Sequence, residues 1–336
     1  MSITIHDVAK KLNISIYTVS RALDGYDDVA VQTRQLVIET ANKMGYAPNR
    51  AARQLRRQKS ETIGFILPAI SKRFSESFFT EFVSGLGEEL SGKNFDLLIS
   101  NATTDDGERN LYHRWVNGHK VDGFILSRIR KHDWRVNYLS QWDIPFVALG
   151  QSHDEINYPC VRIDGAEAYL ELIGHIQVQG FSRFAFIGGP GDLINQIDRL
   201  KWFKSALKKC GLELDRKNVV LTDMSSTGGY EAAQALLANP VPPDAILAVT
   251  DETALGVLHA AHERGLTIGT DLAIAGFDGV QESRHTEPSL TTLDIPVTEI
   301  AQQLARMLLE KISGQTPQDQ EFVIKPKLLI RASTGG

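Results

Sequence analysis

Two periodicities run along the chain, and they change over near residue 60. Up to about residue 44 the apolar positions recur every three or four residues. Ile5, Val8, Ala9 and Leu12 share one helical face at i, i+3, i+4 and i+7. Thr4 stands where an N-cap belongs, with Asp7 three residues on as capping-box partner and as an anion at the helix N-terminus. Asn13 suits the left-handed position that ends the helix, and Ser15 opens a second helix at once. Two short helices joined this tightly form a helix-turn-helix. In the second, Val19 and Leu23 are expected inward, with Ile16, Tyr17, Ser20 and Arg21 on or near the outer face. A third helix is expected over 31–44, with Leu36, Val37, Ala41 and Met44 inward and Gly45 as its stop.

From residue 62 short apolar runs alternate with amphipathic stretches. Strands are expected over 62–68, 95–100, 122–127, 145–150, 160–164, 183–188, 219–221, 245–250 and 272–278. Helices are expected over 78–92, 106–116, 165–179, 194–210, 229–237 and 252–264. Such alternation builds parallel sheets with helices on both faces. The strands are too many for one compact unit, and a break near 151–159 separates two Rossmann-like lobes. The tail changes rhythm: strand 291–296, helix 297–312, then a run over 321–331 that crosses back. The expected division is a head at 1–47, a hinge at 48–60 and a two-lobed domain at 61–336. Its lobes take roughly 61–160 with 296–320, and 161–290 with 321–331.

The segment between head and lobes is chemically distinct. Tyr46-Ala47-Pro48 breaks the chain, and Asn49 caps a short run carrying Arg50, Arg53, Arg56 and Arg57 without an acid. Alone in water this helix is marginal, and phosphates would neutralise it and let it fold. Charge supports the division. Residues 1–60 hold ten Lys or Arg against five Asp or Glu, while the whole chain of 336 residues carries −5, so the rest carries −10. A basic head on an acidic body is expected when one end meets nucleic acid. Arg21 can present two donors to guanine, and Tyr17 can meet a base or phosphate.

In open parallel sheets, ligands bind beyond the carboxyl ends of the strands. Here those ends hold residues 70–79, Asn101, Ser127, Gly150, Asp164, 190–195, Met224, Thr250, Asp251 and Asp278. Phe78 and Phe79 could stack on the apolar face of a sugar. Arg199, Asp251 and Asp278 could pair with hydroxyls through charge-assisted hydrogen bonds.

The stretches IHDVAKKLNISIYTVSRALDG and MGYAPNRAARQLRR resemble the DNA-binding head and hinge helix of the lactose-repressor (LacI) family of bacterial transcription regulators. The match is dense over some 55 residues and looser beyond. The resemblance implies an N-terminal all-α helix-turn-helix head with a hinge helix. An α/β two-lobed, periplasmic-binding-protein-like effector domain follows it. Base-reading positions then fall on Ile16, Tyr17 and Arg21. Two hinge helices would pair in the minor groove, with Leu55 wedging a base step and Ala52 on the same face. The implied DNA-contacting set is Thr4, Ser15, Ile16, Tyr17, Thr18, Ser20, Arg21, Asn49, Arg50, Ala52, Arg53, Leu55 and Arg56. The implied effector set is Phe78, Phe79, Arg199, Met224, Thr250, Asp251 and Asp278. Ala30 departs from the family pattern, which has Ser or Thr there; losing that cap costs about 1 kcal/mol.

The loop GGPGD (188–192) lacks both the Gly-Lys-Ser/Thr of a phosphate loop and G-x-G-x-x-G spacing. His259 and His262 share a helix face without an evident third metal ligand, and no G-x-S-x-G elbow is present. Cys160 and Cys210 have no metal-ligand spacing and are expected as reduced thiols. No apolar signal core and no run of about eighteen apolar residues occurs, so the chain is expected in the cytoplasm, nucleoid-associated through DNA, with no membrane contact. The expectation is a non-enzymatic, cofactor-free repressor of a carbohydrate operon. It would bind a palindromic operator as a homodimer and release it on binding a small-molecule effector, a sugar inducer. The alternatives are a sugar-binding transport or receptor protein, and a regulator using a non-sugar corepressor.

Overall fold

The structure, a computed structural model, describes residues 3–46, 59–68 and 76–335. They fall into two compact units, one ending at Ser60 and the other beginning at Glu61. The hinge positions Asn49, Arg50, Ala52, Arg53, Leu55 and Arg56 lie outside the described residues.

The head has three helices: α1 (Ile5–Leu12), α2 (Ile16–Leu23) and α3 (Val31–Met44). The Thr4 backbone N–H donates to the Asp7 carboxylate at 2.8 Å, and Ser15 Oγ accepts from the Thr18 N–H at 3.0 Å. Asn13 and Gly45 end α1 and α3 at φ 54° and 70°. Val8, Ala9, Val19, Ala22, Val29, Val37 and Ala41 make the small core. Two expectations need correcting. Leu36 is 53% exposed, because Val37 and Ala41 set the inward face at i, i+4 and Leu36 lies a hundred-degree step away. Ser20 is buried, small enough to fit beside Val19, and its hydroxyl donates to Asp24 at 3.4 Å. Leu23, expected inward, is half-buried against this core.

The second unit holds two six-stranded sheets. The first has β1 (Thr62–Leu67), β2 (Asp96–Asn101), β3 (Gly123–Leu126), β4 (Phe146–Leu149), β5 (Cys160–Ile163) and β11 (Glu321–Ile324), in the order β11-β5-β4-β3-β1-β2, all parallel. Its helices are α4 (Glu76–Ser91), α5 (Asp105–Asn117), α6 (Trp134–Gln141) and, from the tail, α11 (Val297–Ile312). The second sheet has β6 (Phe184–Gly188), β7 (Val219–Leu221), β8 (Ala245–Ala248), β9 (Ala273–Asp278), β10 (Thr291–Asp294) and β12 (Lys327–Leu329), in the order β12-β10-β9-β8-β6-β7. Only β12 is antiparallel in it. Its helices are α7 (Ala166–Val178), α8 (Ile194–Lys209), α9 (Ser226–Leu237) and α10 (Asp251–Glu263).

The lobe boundaries differ from expectation. The chain leaves the first lobe after Ile163, since β5 pairs with β4 and β11; the break at 151–159 lies within that lobe. The run over 321–331, expected to cross back and assigned to the second lobe, is divided between the sheets: β11 stays in the first and only β12 reaches the second. Lys325-Pro326 divides them, because Pro lacks the N–H a ladder needs. The chain therefore crosses between lobes near 164–165, 295–296 and 325–326. One short helix, α6, is not among the expected elements; Asp133 caps it and Val136 and Leu139 are its inward pair.

Helices α9 and α10 touch through glycine. A Cβ on Gly229 would overlap the Thr253 carbonyl, and one on Gly256 the Ser226 carbonyl. Backbone cannot give way as a flexible side chain can, so Gly256→Ala is expected to destabilise the second lobe by about 1–3 kcal/mol. Urea unfolding followed by circular dichroism measures it; an unchanged midpoint refutes the close approach.

Candidate DNA-reading face and interlobe cleft

On the head, Ile16 and Tyr17 are exposed at the start of α2, and Tyr17 is 67% exposed. Arg21 lies one turn further on and is already engaged. Its Nε donates to Asp28 at 2.9 Å, its Nη1 donates to the Tyr17 hydroxyl at 3.1 Å, and its guanidinium sits 4.1 Å from the centre of the Tyr26 ring. Ser15 and Thr18 cap α2, with 2.8 Å between their hydroxyl oxygens. Thr4 and Asp7 cap α1. Ala30 supplies no side-chain cap to α3, as its sequence implies.

The second unit has a cleft of about 1210 Å³, open mouth included, between its lobes. Each sheet reverses its strand order there, between β1 and β3 in one lobe and between β6 and β8 in the other. Of the implied effector residues, Phe78, Phe79, Arg199, Met224, Thr250 and Asp278 line it. Asp251 does not. It is fully buried as the first residue of α10, where Thr250 is the N-cap and accepts from the Thr253 N–H at 3.2 Å. Asn101 and Asp164 also fall outside the lining, whereas Ser127, Gly150 and Asn195 belong to it.

The floor is polar. Arg199 Nη2 donates to Asp278 Oδ1 at 3.1 Å, Nη1 donates to the Val249 carbonyl, and the guanidinium lies 3.6 Å from the Phe277 ring centre. Asp278 is buried at the end of β9 with φ 112°, a conformation L side chains rarely adopt. Burial pushes its carboxyl up, and Arg199 opposes the rise. The walls are apolar: Phe78 stacks on Phe82, Phe79 on Phe65, and Met224 is folded against Gly189.

Sequence reasoning missed several lining residues, among them Arg128, Gln151, Arg162, Asp198, Trp202 and Glu252. Helical spacing carried part of this signal: Asn195, Asp198, Arg199 and Trp202 are one face of α8 at i, i+3, i+4 and i+7. Arg128 directly follows Ser127 at the end of β3; burial lowers its guanidinium to about 10, opposed by the Asp278 and Asp223 charges. The buried Arg135 steadies this strand end. It donates to the carbonyls of Ser127 and Arg128 at 3.1 and 3.0 Å and to Asp133 at 2.6 Å. Backbone bonds cross between lobes beside it, from Ile194 N–H to the Ile129 carbonyl at 2.9 Å and from Lys131 N–H to the Asp192 carbonyl at 2.7 Å.

Elsewhere, His259 meets Glu263 at 3.1 Å, and no group of three metal-ligating side chains occurs among the described residues. Cys160 is buried and Cys210 half-buried, neither in a disulfide. Among the described residues no helix is long and apolar enough to cross a membrane.

A capped helix-turn-helix and a two-lobed α/β body with a polar-floored cleft define a DNA-binding regulator of transcription with a periplasmic-binding-protein-like body. Residues 4–49 match the family described as bacterial regulatory proteins, lacI family, and residues 173–334 match the periplasmic binding protein-like domain. The regulator AglR of Rhizobium meliloti (strain 1021) is 33% identical over 100% of this chain and 95% of its own length. Catabolite control protein A of Priestia megaterium is 32% identical over 99% of this chain and 100% of its own. The solved complex of the transcriptional regulator CelR with cellobiose superposes at TM-score 0.75 and 27% identity, covering 98% of this chain and 99% of that one. The lac repressor dimer bound to operator and the anti-inducer ONPF, at 22% identity and full coverage of both chains, shares the fold at TM-score 0.84. The chain belongs to the LacI family of bacterial transcription regulators and is not an enzyme.

Burial also pushes the Asp251 carboxyl up, to about 8, with the Asp278 charge adding to the rise. The folded chain then keeps a proton that the unfolded chain, with a carboxyl near pH 4, has released. This residue's contribution to stability therefore declines as pH rises from about 4 to 8 and levels off above. Asp251→Asn is expected to flatten that part of the stability–pH curve in urea unfolding; parent and variant curves running parallel across the window refute the shift.

Proposed function

We propose that the chain represses a carbohydrate-utilisation operon in the cytoplasm. It would bind a near-palindromic operator as a homodimer and release it when a sugar fills the interlobe cleft. The observation that carries this reading is the Arg199–Asp278 pair beneath a wall of Phe78, Phe79 and Met224. A sugar presents both hydroxyls and an apolar C–H face, and the cleft offers charged partners to one and rings to the other. The similar regulator solved in complex with cellobiose supports this choice.

The head's part follows from α2. Ile16, Tyr17 and Arg21 would enter the major groove, with Thr4, Ser15 and Thr18 at the helix ends near phosphates; the buried Ser20 would act only through packing. Reading a guanine requires Arg21 to exchange its bond with Asp28 for one with the base. Asn49, Arg50, Arg53 and Arg56 would meet phosphates, with Leu55 and Ala52 in the minor groove. Sugar binding would alter the angle between lobes and separate two hinge segments; typical couplings of about 1–3 kcal/mol suffice.

A thermal-shift screen of mono- and disaccharides, repeated as an operator gel shift, tests the reading. Stabilisation by a non-sugar metabolite with tighter operator binding would favour a corepressor instead. Operators selected from random duplexes should be palindromic. Arg21→Ala should relax preference at one base pair per half-site, at about 1–3 kcal/mol. Leu55→Ala should weaken operator binding and spare sugar binding; unchanged operator affinity rules out the wedge. Arg199→Ala or Asp278→Ala should leave operator binding intact and remove the response to sugar, and a retained response in both moves the effector elsewhere.

A further inference from the structure

Asp251 carries a buried carboxyl group that the cleft does not reach. Its Oδ2 accepts from the Val280 N–H at 2.9 Å and its Oδ1 from the Thr292 hydroxyl at 2.6 Å. The first bond fixes the loop that follows Asp278. The second fixes β10. Two glycines make the contact possible: a Cβ on Gly276 would overlap Asp251 Oδ1, and one on Gly279 would overlap Asp294 Oδ1. The Asp278 loop thus lies flat on the end of β10. From there the Ile295 N–H donates to the Asp278 carbonyl at 3.4 Å. Ile295 lines the cleft and opens the 295–296 crossing into α11 of the first lobe.

We propose that Asp251 is a positioning residue: it clamps the Asp278 loop onto β10 beside the lobe crossing, so that a ligand on Asp278 moves the crossing. This rests on the cleft being the effector site. The clamp has two halves with different roles. The Val280 bond holds Asp278 in its unusual backbone conformation, which aims the carboxylate at Arg199. The Thr292 bond passes any shift of that loop to the strand that leaves the lobe. Loss of Thr292 should therefore spare sugar binding more than it spares the response, whereas loss of Asp251 should damage both.

The clamp can be read without a ligand. Amide hydrogen exchange on the full chain reports Val280 and Ile295 directly. Asp251→Ala should speed exchange of both amides at least tenfold while strands β1 to β5 stay within twofold of the parent. Thr292→Val should speed both several-fold, and Thr292→Ser, which keeps the hydroxyl, should restore them. Uniform acceleration across the second lobe in Asp251→Ala, or equal behaviour of Thr292→Val and Thr292→Ser, overturns the clamp and leaves a packing role only. Should Asp251→Ala fail to fold, the Thr292 pair decides alone.

Titration with cellobiose, then with any sugar retained by the screen, supplies the functional arm. Thr292→Val is expected to keep sugar affinity within threefold while needing at least tenfold more sugar to release operator. Affinity and release changing together refutes the coupling role. A panel in which no sugar binds the parent chain overturns the ligand class proposed above, and the exchange arm still decides the clamp.

Discussion

The cleft depends on one ion pair kept out of water. Separately, a buried guanidinium or a buried carboxylate is costly, and losing one partner of such a pair costs about 3–5 kcal/mol. Arg199 and Asp278 meet the condition for coexistence because the guanidinium's other contacts are also filled, by the Val249 carbonyl and the Phe277 ring. The lobe facing them uses the same device: Arg135, fully buried, is held by Asp133 and by two carbonyls of the strand end. The Arg199–Asp278 charge on the cleft floor is therefore fixed in direction before anything enters, and the strand end that carries Arg128 on the facing lobe is held by Arg135. An incoming hydroxyl meets groups that need little reordering, which is how a binding site limits its entropy cost.

The head follows a related logic at the surface. Arg21 has Asp28, Tyr17 and Tyr26 around it, so its planar fork is already ordered. These contacts are exposed and individually weak. They hold the side chain without trapping it, which suits a group whose proposed partner is a base edge. The left-handed Asn13 that ends α1 and the Ser15 cap that opens α2 make their tight turn, and that turn gives α2 its outward face.

The head was legible in the sequence because its signals are local: caps, a left-handed Asn13, and periodic apolar residues. The strands were legible for the same reason, and α11 was found at Val297–Ile312. What failed was non-local. Asp251 follows a strand and opens a helix, as an effector residue would, and nothing nearby in sequence shows that Val280 and Thr292 claim its oxygens. The run over 321–331 does not show where it divides between the lobes, since only its partners reveal that Glu321–Ile324 joins Cys160–Ile163 while Lys327–Leu329 joins Thr291–Asp294. Ser20 was misplaced because a small polar side chain can be buried on a mostly outward turn. Asp278, 79 residues from Arg199, is marked by its place at a strand end, whereas helical periodicity alone offers Asp198 and Trp202 equally with Arg199 and the resemblance sharpens the choice.

The three crossings between lobes have a consequence for how the molecule is made. The first lobe opens at β1, yet its edge strand β11 and its helix α11 come from residues 297–324. The second lobe in turn waits for β12 and for Thr334, which joins Thr291 at 2.8 Å. On the ribosome neither half can complete its sheet until β11 and β12 have emerged. An edge left open that long is a template for stray strand pairing, so the nascent chain carries two unfinished sheets until residues 321–334 have been made.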